Sequence, residues 1–257
     1  MKYIECEIPE QECYVIPISD LHIGDPNFEK IGRPILNETL LWLEKQTNAK
    51  IFLNGDIFNC ASRQSKTSPF ESDINEYQTA IDIFEPVKDK IIGAIDGNHE
   101  ARMIDDYGIS PLQLFCRELK IPYSKWSAVV RFKVGKRKDS NRWYQNYFGY
   151  FHHTTGGGST IGGKINRVTK LRELVESIDF YCGSHNHQLA IAPQDVFYPS
   201  MQDKTVKKRR IWYIDCGSYL DWNDSYAEKN MLAPTKLGSP KIKLDGRQHN
   251  HECYVSI

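Results

Sequence analysis

The chain lacks any long apolar run. Nowhere does it approach the roughly 18 consecutive apolar residues of a membrane-spanning helix. Its opening, MKYIECEIPEQECYVIPI, sets glutamates where an export signal needs an unbroken apolar segment. A cytoplasmic protein with no membrane partner is the expectation. There is no charge surplus either. Lysine plus arginine and aspartate plus glutamate each number 33, so no net field draws a polyanion, and any nucleic-acid surface has to be local. The seven cysteines (6, 13, 60, 116, 182, 216 and 253) contain no CxxC pair and leave one over. That excludes a zinc ribbon and argues against a disulfide framework, which leaves reduced, mostly buried thiols. Internal repeats, low-complexity tracts and linkers are also missing. The composition, 40% hydrophobic and 26% charged over 257 residues, therefore predicts a single domain, 1–257, around one core.

What is present is an alternation. CYVIPIS (13–19), KIFLNGD (50–56) and KIIGAIDGN (90–98) read as strands. FEKIGRPILNETLLWLEKQ (28–46, in its later part), SDINEYQTAIDIFEPVKD (72–89) and SPLQLFCREL (110–119) read as helices. This βαβαβα order predicts a mostly parallel sheet covered by helices. The second half is richer in strand. AVVRFKV (128–134) and WYQNYFGYFH (143–152) form a hairpin pair around the polar turn GKRKDSN, NRVTKLRELVESI (166–178) is an amphipathic helix, and RIWYIDCGSYL (210–220) is a strand before a loop-rich tail ending in HECYVSI. The expected class is α/β, a second sheet packed on the first in a two-sheet sandwich flanked by helices.

The polar residues collect at predicted strand ends. SDLHIGD places Asp20 and His22 two apart, NGDIFN places Asp56 after a glycine, and DGNHEAR supplies Asn98 and His99. FHHTTGGG supplies His152 and His153, and GSHNH supplies His185 and His187; six of the eight histidines fall in these blocks. Residues two apart on an extended chain point the same way, and ligands in open parallel sheets bind at the carboxyl ends of strands. Singly, each block has an ordinary use: Asp56 caps a helix, Asn98 sits in a turn. Together they predict one convergent site.

The ordered series D-x-H, G-D, G-N-H-E, H and G-x-H-x-H resembles that of the calcineurin-like metallophosphoesterases, which include dinuclear phosphatases, phosphodiesterases and nucleases. The likeness covers roughly residues 14–220, and GSHNH departs from the usual spacing by setting its glycine one place further off. The resemblance implies the family's two-sheet αββα fold and hydrolysis of phosphate mono- or diesters by a metal-bridging hydroxide. One ion would be held by Asp20, His22 and His187, the other by Asn98, His185 and one histidine of the HH pair, with Asp56 bridging. His153 is favoured over His152 because family members often place this ligand directly before a small-residue loop. His99 would assist the leaving oxygen as the catalytic acid.

Imidazole, carboxylate and amide ligands without thiolate suit Mn²⁺ first, with Fe or Zn²⁺ as alternatives, and disfavour a pure Mg²⁺ site. Two divalent ions bring four positive charges and Asp20 and Asp56 return two, a surplus that attracts a phosphate ester. Arg102, Lys164 and Arg167 are phosphate-contact candidates by charge. GSTIGGK (158–164) matches the first part of a phosphate-binding P-loop, but Ile165 stands where the P-loop needs Ser or Thr; it reads instead as a mobile glycine-rich loop beside the HH block. The alternative substrate is nucleic acid. A nuclease of the same fold would use the basic runs KTVKKRR (204–210) and GKRKDSNR (135–142), with Trp126, Trp143 and Trp222 as stacking surfaces. A non-catalytic metal-binding protein is the third reading. HNH at 249–251 is too short for a nuclease motif, and the oligomeric state is left open.

Overall fold

β-Branched and aromatic runs set the strands. The computed structural model describes residues 1–61, 73–138, 142–156, 158, 160–201, 203–223, 228, 233–247 and 251–257. Two mixed sheets of six strands stand face to face. The front sheet runs β12 (Cys253–Ser256), β11 (Lys241–Asp245), β2 (Glu12–Ile18), β3 (Ala49–Asn54), β4 (Ile91–Ile95) and β5 (Tyr123–Ser124). The back sheet runs β1 (Lys2–Ile8), β6 (Ser127–Lys136), β7 (Trp143–His152), β8 (Phe180–Gly183), β10 (Thr205–Cys216) and β9 (Leu189–Ser200).

Alternation along the strands builds three apolar layers. Between the sheets, Val15, Phe52 and Ile95 of the front meet Val130, Phe132, Phe151 and Ile214 of the back, and Phe52 stacks on Phe151 with ring centroids 3.9 Å apart. Helices α1 (Arg33–Glu44), α2 (Asp73–Phe84) and α4 (Pro111–Glu118) cover the outer front face through Leu36, Leu40, Phe84 and Phe115. Helix α5 (Ile161–Thr169) covers the outer back face through Val168 against Tyr150, Tyr181 and Tyr213. The expected two-sheet sandwich flanked by helices is what forms.

Several elements differ from the sequence reading, each for a local reason. The 72–89 helix gives way after Phe84 to a 3₁₀ turn, Glu85–Lys90, where Pro86 lacks the N–H that an α-helix needs. A helix not anticipated, α3 (Asn98–Tyr107), opens directly on the third polar block and is closed by Gly108 in the left-handed conformation, φ 72°. The glycine-rich loop is shorter than expected. Thr160 caps α5 by accepting the Gly163 N–H at 3.1 Å, and this holds both Gly162 and Gly163 inside the helix despite their low propensity. Past Thr169 the expected helix continues only as a 3₁₀ turn, Lys170–Glu173. Strands β1 and β11, read as neither strand nor core, place Ile4, Ile8, Ile242 and Leu244 between the sheets.

The strand expected at 210–220 begins earlier, at Thr205, because it pairs with β9 along its whole length. β8 covers only Trp212–Asp215 of it. The basic run 204–210 therefore lies on a projecting two-stranded ribbon, roughly 20–40 Å along the strand from Cys216. Lys207 pairs there with Asp203, and Lys208 and Arg210 pair with Asp195. The 135–142 run and the HNH triplet fall partly outside the described residues. All seven cysteines are free. Among the described residues no helix is long and apolar enough to cross a membrane.

Candidate metal centre

The carboxyl ends of β2, β3, β4, β7 and β8 meet at one edge of the sandwich, and each delivers one polar block. Beyond β2 the chain keeps its register with the segment after β3: the N–H of Asp20 donates to Gly55 O (3.1 Å), that of His22 to Asp56 O (3.1 Å) and that of Ile23 to Ile57 O (2.9 Å). Gly55 and Gly97 permit the close approach. A Cβ on Gly55 would stand 2.6 Å from His153 Nδ1, and one on Gly97 would stand 2.1 Å from Asp56 Oδ1.

Five of the expected ligands sit in left-handed backbone: Asp20 (φ 51°), His22 (50°), Asp56 (52°), His185 (79°) and His187 (50°). For residues with a Cβ this conformation costs on the order of 1–3 kcal/mol each, and it persists where surrounding structure over-determines it, typically at functional sites.

Among the described residues, three groups with ligand atoms within 4.8 Å of one another result: Asp20, His22 and His187; His22, Asp56 and His99; Asp56, His153 and His185. Asn98 Oδ1 joins the last, 2.6 Å from His185 Nδ1 and 3.2 Å from His153 Nε2. His153 Nδ1 donates to Asn54 O (2.8 Å), which aims the Nε2 lone pair at Asp56 Oδ2, 3.2 Å away. His99 is held the same way, Nδ1 to Asn59 O at 2.6 Å, and turns Nε2 toward His22 and Asp56. Asn98 and His99, neighbours on the first turn of α3, thus serve opposite sides of Asp56.

Electron-pair donors face one another across the whole cluster. His22 Nε2 lies 3.2 Å from His187 Nε2, and the buried Asp20 Oδ1 lies 3.3 Å from His187 Nε2. Such an array repels itself unless cations or protons lie within it, and so the donor set fits metal ions. The charge states agree. Burial, then His99, holds the His22 imidazole well below its usual range, and burial, then His153, lowers His185, which favours the neutral rings that metal ligation requires. Burial opposes the charge on Asp56, but His153 and His99 override it and hold the carboxyl well below its ordinary value. At His153 burial disfavours the cation and Asp56 outweighs it, lifting the ring to about 10, a proton standing where a metal would.

Not every candidate arrives. His152 shares the outer face of β7 with Tyr150, partly buried, while His153 enters the cluster. Arg102 is partly buried near His99, whose pKa it helps burial to depress. Lys164 is 2% exposed beneath the site rather than on a loop over it. Arg167 is exposed, its guanidinium beside Gly156. Trp126 is exposed next to Ser127, which pairs with His152 at the metal edge, whereas Trp143 starts β7 at the far end. The shifted glycine of GSHNH is explained by Ser184: buried, it accepts from Asn54 Nδ2 and donates to Asn54 O, both at 2.8 Å.

The sequence reading missed Glu100. Fully buried on the first turn of α3, it accepts the N–H groups of Asp56 (3.0 Å) and Gly97 (2.9 Å) on Oε2, and those of Ile57 (2.8 Å) and Phe58 (3.0 Å) on Oε1. Burial and the carboxylates of Asp56 and Asp96 push it up to about 8, yet these four donors saturate both oxygens and leave no acceptor for a carboxyl proton. The ionised form is the one that fits. Glu100→Gln turns an amide N–H₂ against N–H donors and is expected to destabilise the fold by about 2–4 kcal/mol. Urea denaturation measures this, and an unchanged midpoint would show that the Asp56 turn holds without Glu100.

No family model matches the chain, and no curated protein does. Similar solved structures include an uncharacterised protein described as a predicted phosphoesterase from Streptococcus pneumoniae, 11% identical over 95% of this chain and 98% of that one, TM-score 0.37. A metallophosphoesterase from Sphaerobacter thermophilus is 12% identical over 90% and 83%, TM-score 0.35. The NAD nucleotidase of Haemophilus influenzae is 9% identical over 96% of this chain and 49% of its own length, TM-score 0.45, so this chain spans about half of that protein.

Proposed function

We propose that the chain is a dinuclear metal-dependent phosphoesterase of the calcineurin-like kind, hydrolysing phosphate mono- or diesters in the cytoplasm. The observation that carries this reading is the convergence of Asp20, His22, Asp56, Asn98, His153, His185 and His187 from five strand ends, their donor atoms facing one another at 2.6–3.3 Å. Asp20, His22 and His187 would hold one ion and Asn98, His153 and His185 the other, with Asp56 between them. Mn²⁺ suits the nitrogen and oxygen donors best, with Fe or Zn²⁺ as alternatives.

When bound, two such ions supply an activated water and neutralise the charge on the phosphate. The chain's own part is to set distances and charges. Asp56 places a carboxylate common to both halves, and Glu100 fixes the turn that carries it. His99, its ring 4.3 Å from that of His22, would meet the leaving oxygen, and Arg102, near enough to influence His99, would supply a positive charge for the phosphate. Lys164 is buried and Arg167 has no contact with the cluster among the described residues, so neither takes that role in this reading. The nuclease alternative is weakened because the described basic run lies on the ribbon at the far end of β10.

Excess chelator is expected to abolish hydrolysis, Mn²⁺ to restore it, and elemental analysis to find about two divalent ions per chain. A panel of nitrophenyl phosphate mono- and diesters, cyclic nucleotides, single- and double-stranded DNA, and RNA assigns the substrate class. Full activity in chelator with no metal present would overturn the proposal, and metal without turnover on any substrate would make the protein a metal binder only.

A further inference from the structure

His185 and His187 both hold left-handed backbone with only Asn186 between them, and a loop strained at two ligand positions keeps its shape only if something fixed grips it. Asn186 provides the grip. Its side chain is buried, and Nδ2 donates to Asp215 Oδ2 at 3.1 Å. Asp215 is itself fully buried, on β10 opposite Gly183 of β8, one residue before the strand's end. It shares the outer face of the back sheet with Tyr213 and Ile211, the face that α5 covers. From the first turns of α5, Lys164 brings a buried amine whose pKa burial lowers, with the Asp215 carboxyl opposing that shift. Among the described residues Lys164 Nζ has no hydrogen bond, and Asp215 Oδ1 and Asn186 Oδ1 have none either.

Burial works against both charges, holding the Asp215 carboxyl well above its usual value and lowering the Lys164 ammonium, and each group partly offsets that shift in the other. Neither reaches the cluster. Asp20, His153 and Asp215 influence one another electrostatically, but Asp215 belongs to none of the three ligand groups.

We propose that Asp215, with Lys164 as its counter-charge, is a positioning residue that holds Asn186 and thereby sets His185 and His187 for metal binding. The proposal rests on the metal centre read above and adds to it the device that keeps one loop serving both ions. α5, β10 and the loop are then linked in turn: the amide of Asn186 is oriented by its hydrogen bond to Asp215, and Lys164, from the helix outside the sheet, acts on that carboxyl through its charge and not through a hydrogen bond. Loss of any link frees the loop to relax toward ordinary backbone angles and draws both imidazoles off their mark.

Mn²⁺ binding by calorimetry, on protein checked for folding by circular dichroism, tests this without recourse to activity. Asp215→Asn, Lys164→Met and Asn186→Asp should each weaken Mn²⁺ binding about 10- to 100-fold, the range for groups that orient metal ligands. Asn186→Asp should be the most severe because it sets two carboxylates face to face. The reciprocal pair N186D/D215N restores one amide against one carboxylate and should recover most of the lost affinity, which a purely structural role would not produce. Wild-type affinity in Asp215→Asn, or no recovery in the folded reciprocal pair, overturns the proposal. If Asn186→Asp does not fold, Asp215→Asn and the reciprocal pair still decide. Failure of the wild-type protein to bind Mn²⁺ overturns the metal reading itself, and that result is separable from a change seen only in the variants.

Discussion

Asp56→Asn is expected to abolish turnover and empty the centre of most of its metal while leaving the fold intact. Asp56 belongs to two of the three ligand groups. Its Oδ2 lies 3.2 Å from His153 Nε2 and 4.0 Å from His22 Nε2, and its Oδ1 accepts the His99 N–H at 2.8 Å. Asparagine keeps the volume and one acceptor, but removes the charge that lets two cations lie side by side and turns an N–H₂ toward the cluster. Removing one charge from a buried arrangement of this kind costs about 3–5 kcal/mol, two to four decades in metal affinity. The turn should survive, because Glu100 grips its backbone N–H groups and not the Asp56 carboxylate. Elemental analysis, circular dichroism and rate measured on one preparation check all three parts. Wild-type turnover would reduce Asp56 to a turn residue.

His99→Ala should lose about 10²- to 10⁴-fold in rate on an ester with a poor leaving group, the range of a positioned acid, while retaining both metals. A nitrophenyl ester, whose leaving oxygen scarcely needs a proton, should suffer much less. The geometry makes the comparison sharp. A ring nitrogen of His99 lies within 4.8 Å of donor atoms of His22 and Asp56, close enough for a ligand's role, and its Nδ1 is held by Asn59 O. Equal losses on both esters with a missing ion would assign it to the metal, and no loss on either would make it structural. The two rates and the metal content together separate these roles.

The parallel βαβαβα half was legible because its strands are short runs of β-branched residues and its helices keep their period. The convergence of the polar blocks was legible because spacing at strand ends is local. His153 over His152 follows from the same rule: the alternation that turns Tyr147 and Phe151 inward turns His152 outward with Tyr150, and the next residue falls inside. The grip of Glu100 on the Asp56 turn was not legible, since three of its four partners are backbone groups of residues 56–58, brought to it only by the meeting of β3 and β4, and the Gly97 N–H alone is local. Asp215 and Lys164 were hidden for a similar reason. Two glycines disguised the start of α5, so a buried lysine read as a loop cation. β1 and β11 each add to a sheet through partners distant in sequence, which no local pattern records.

That last feature bears on how the chain comes off the ribosome. In the front sheet β2 lies between β3 and β11, with Cys13 opposite Leu244. One flank of β2 is paired as soon as β3 is made, but the other stays an open row of backbone donors and acceptors until nearly the whole described sequence has been synthesised. Folding that waits on so remote a contact is slow, and an unpaired apolar strand edge is a template for other chains in the interval. Yield on expression should therefore respond more steeply to holdase chaperones, and to changes within 241–245, than the stability of the finished protein would suggest.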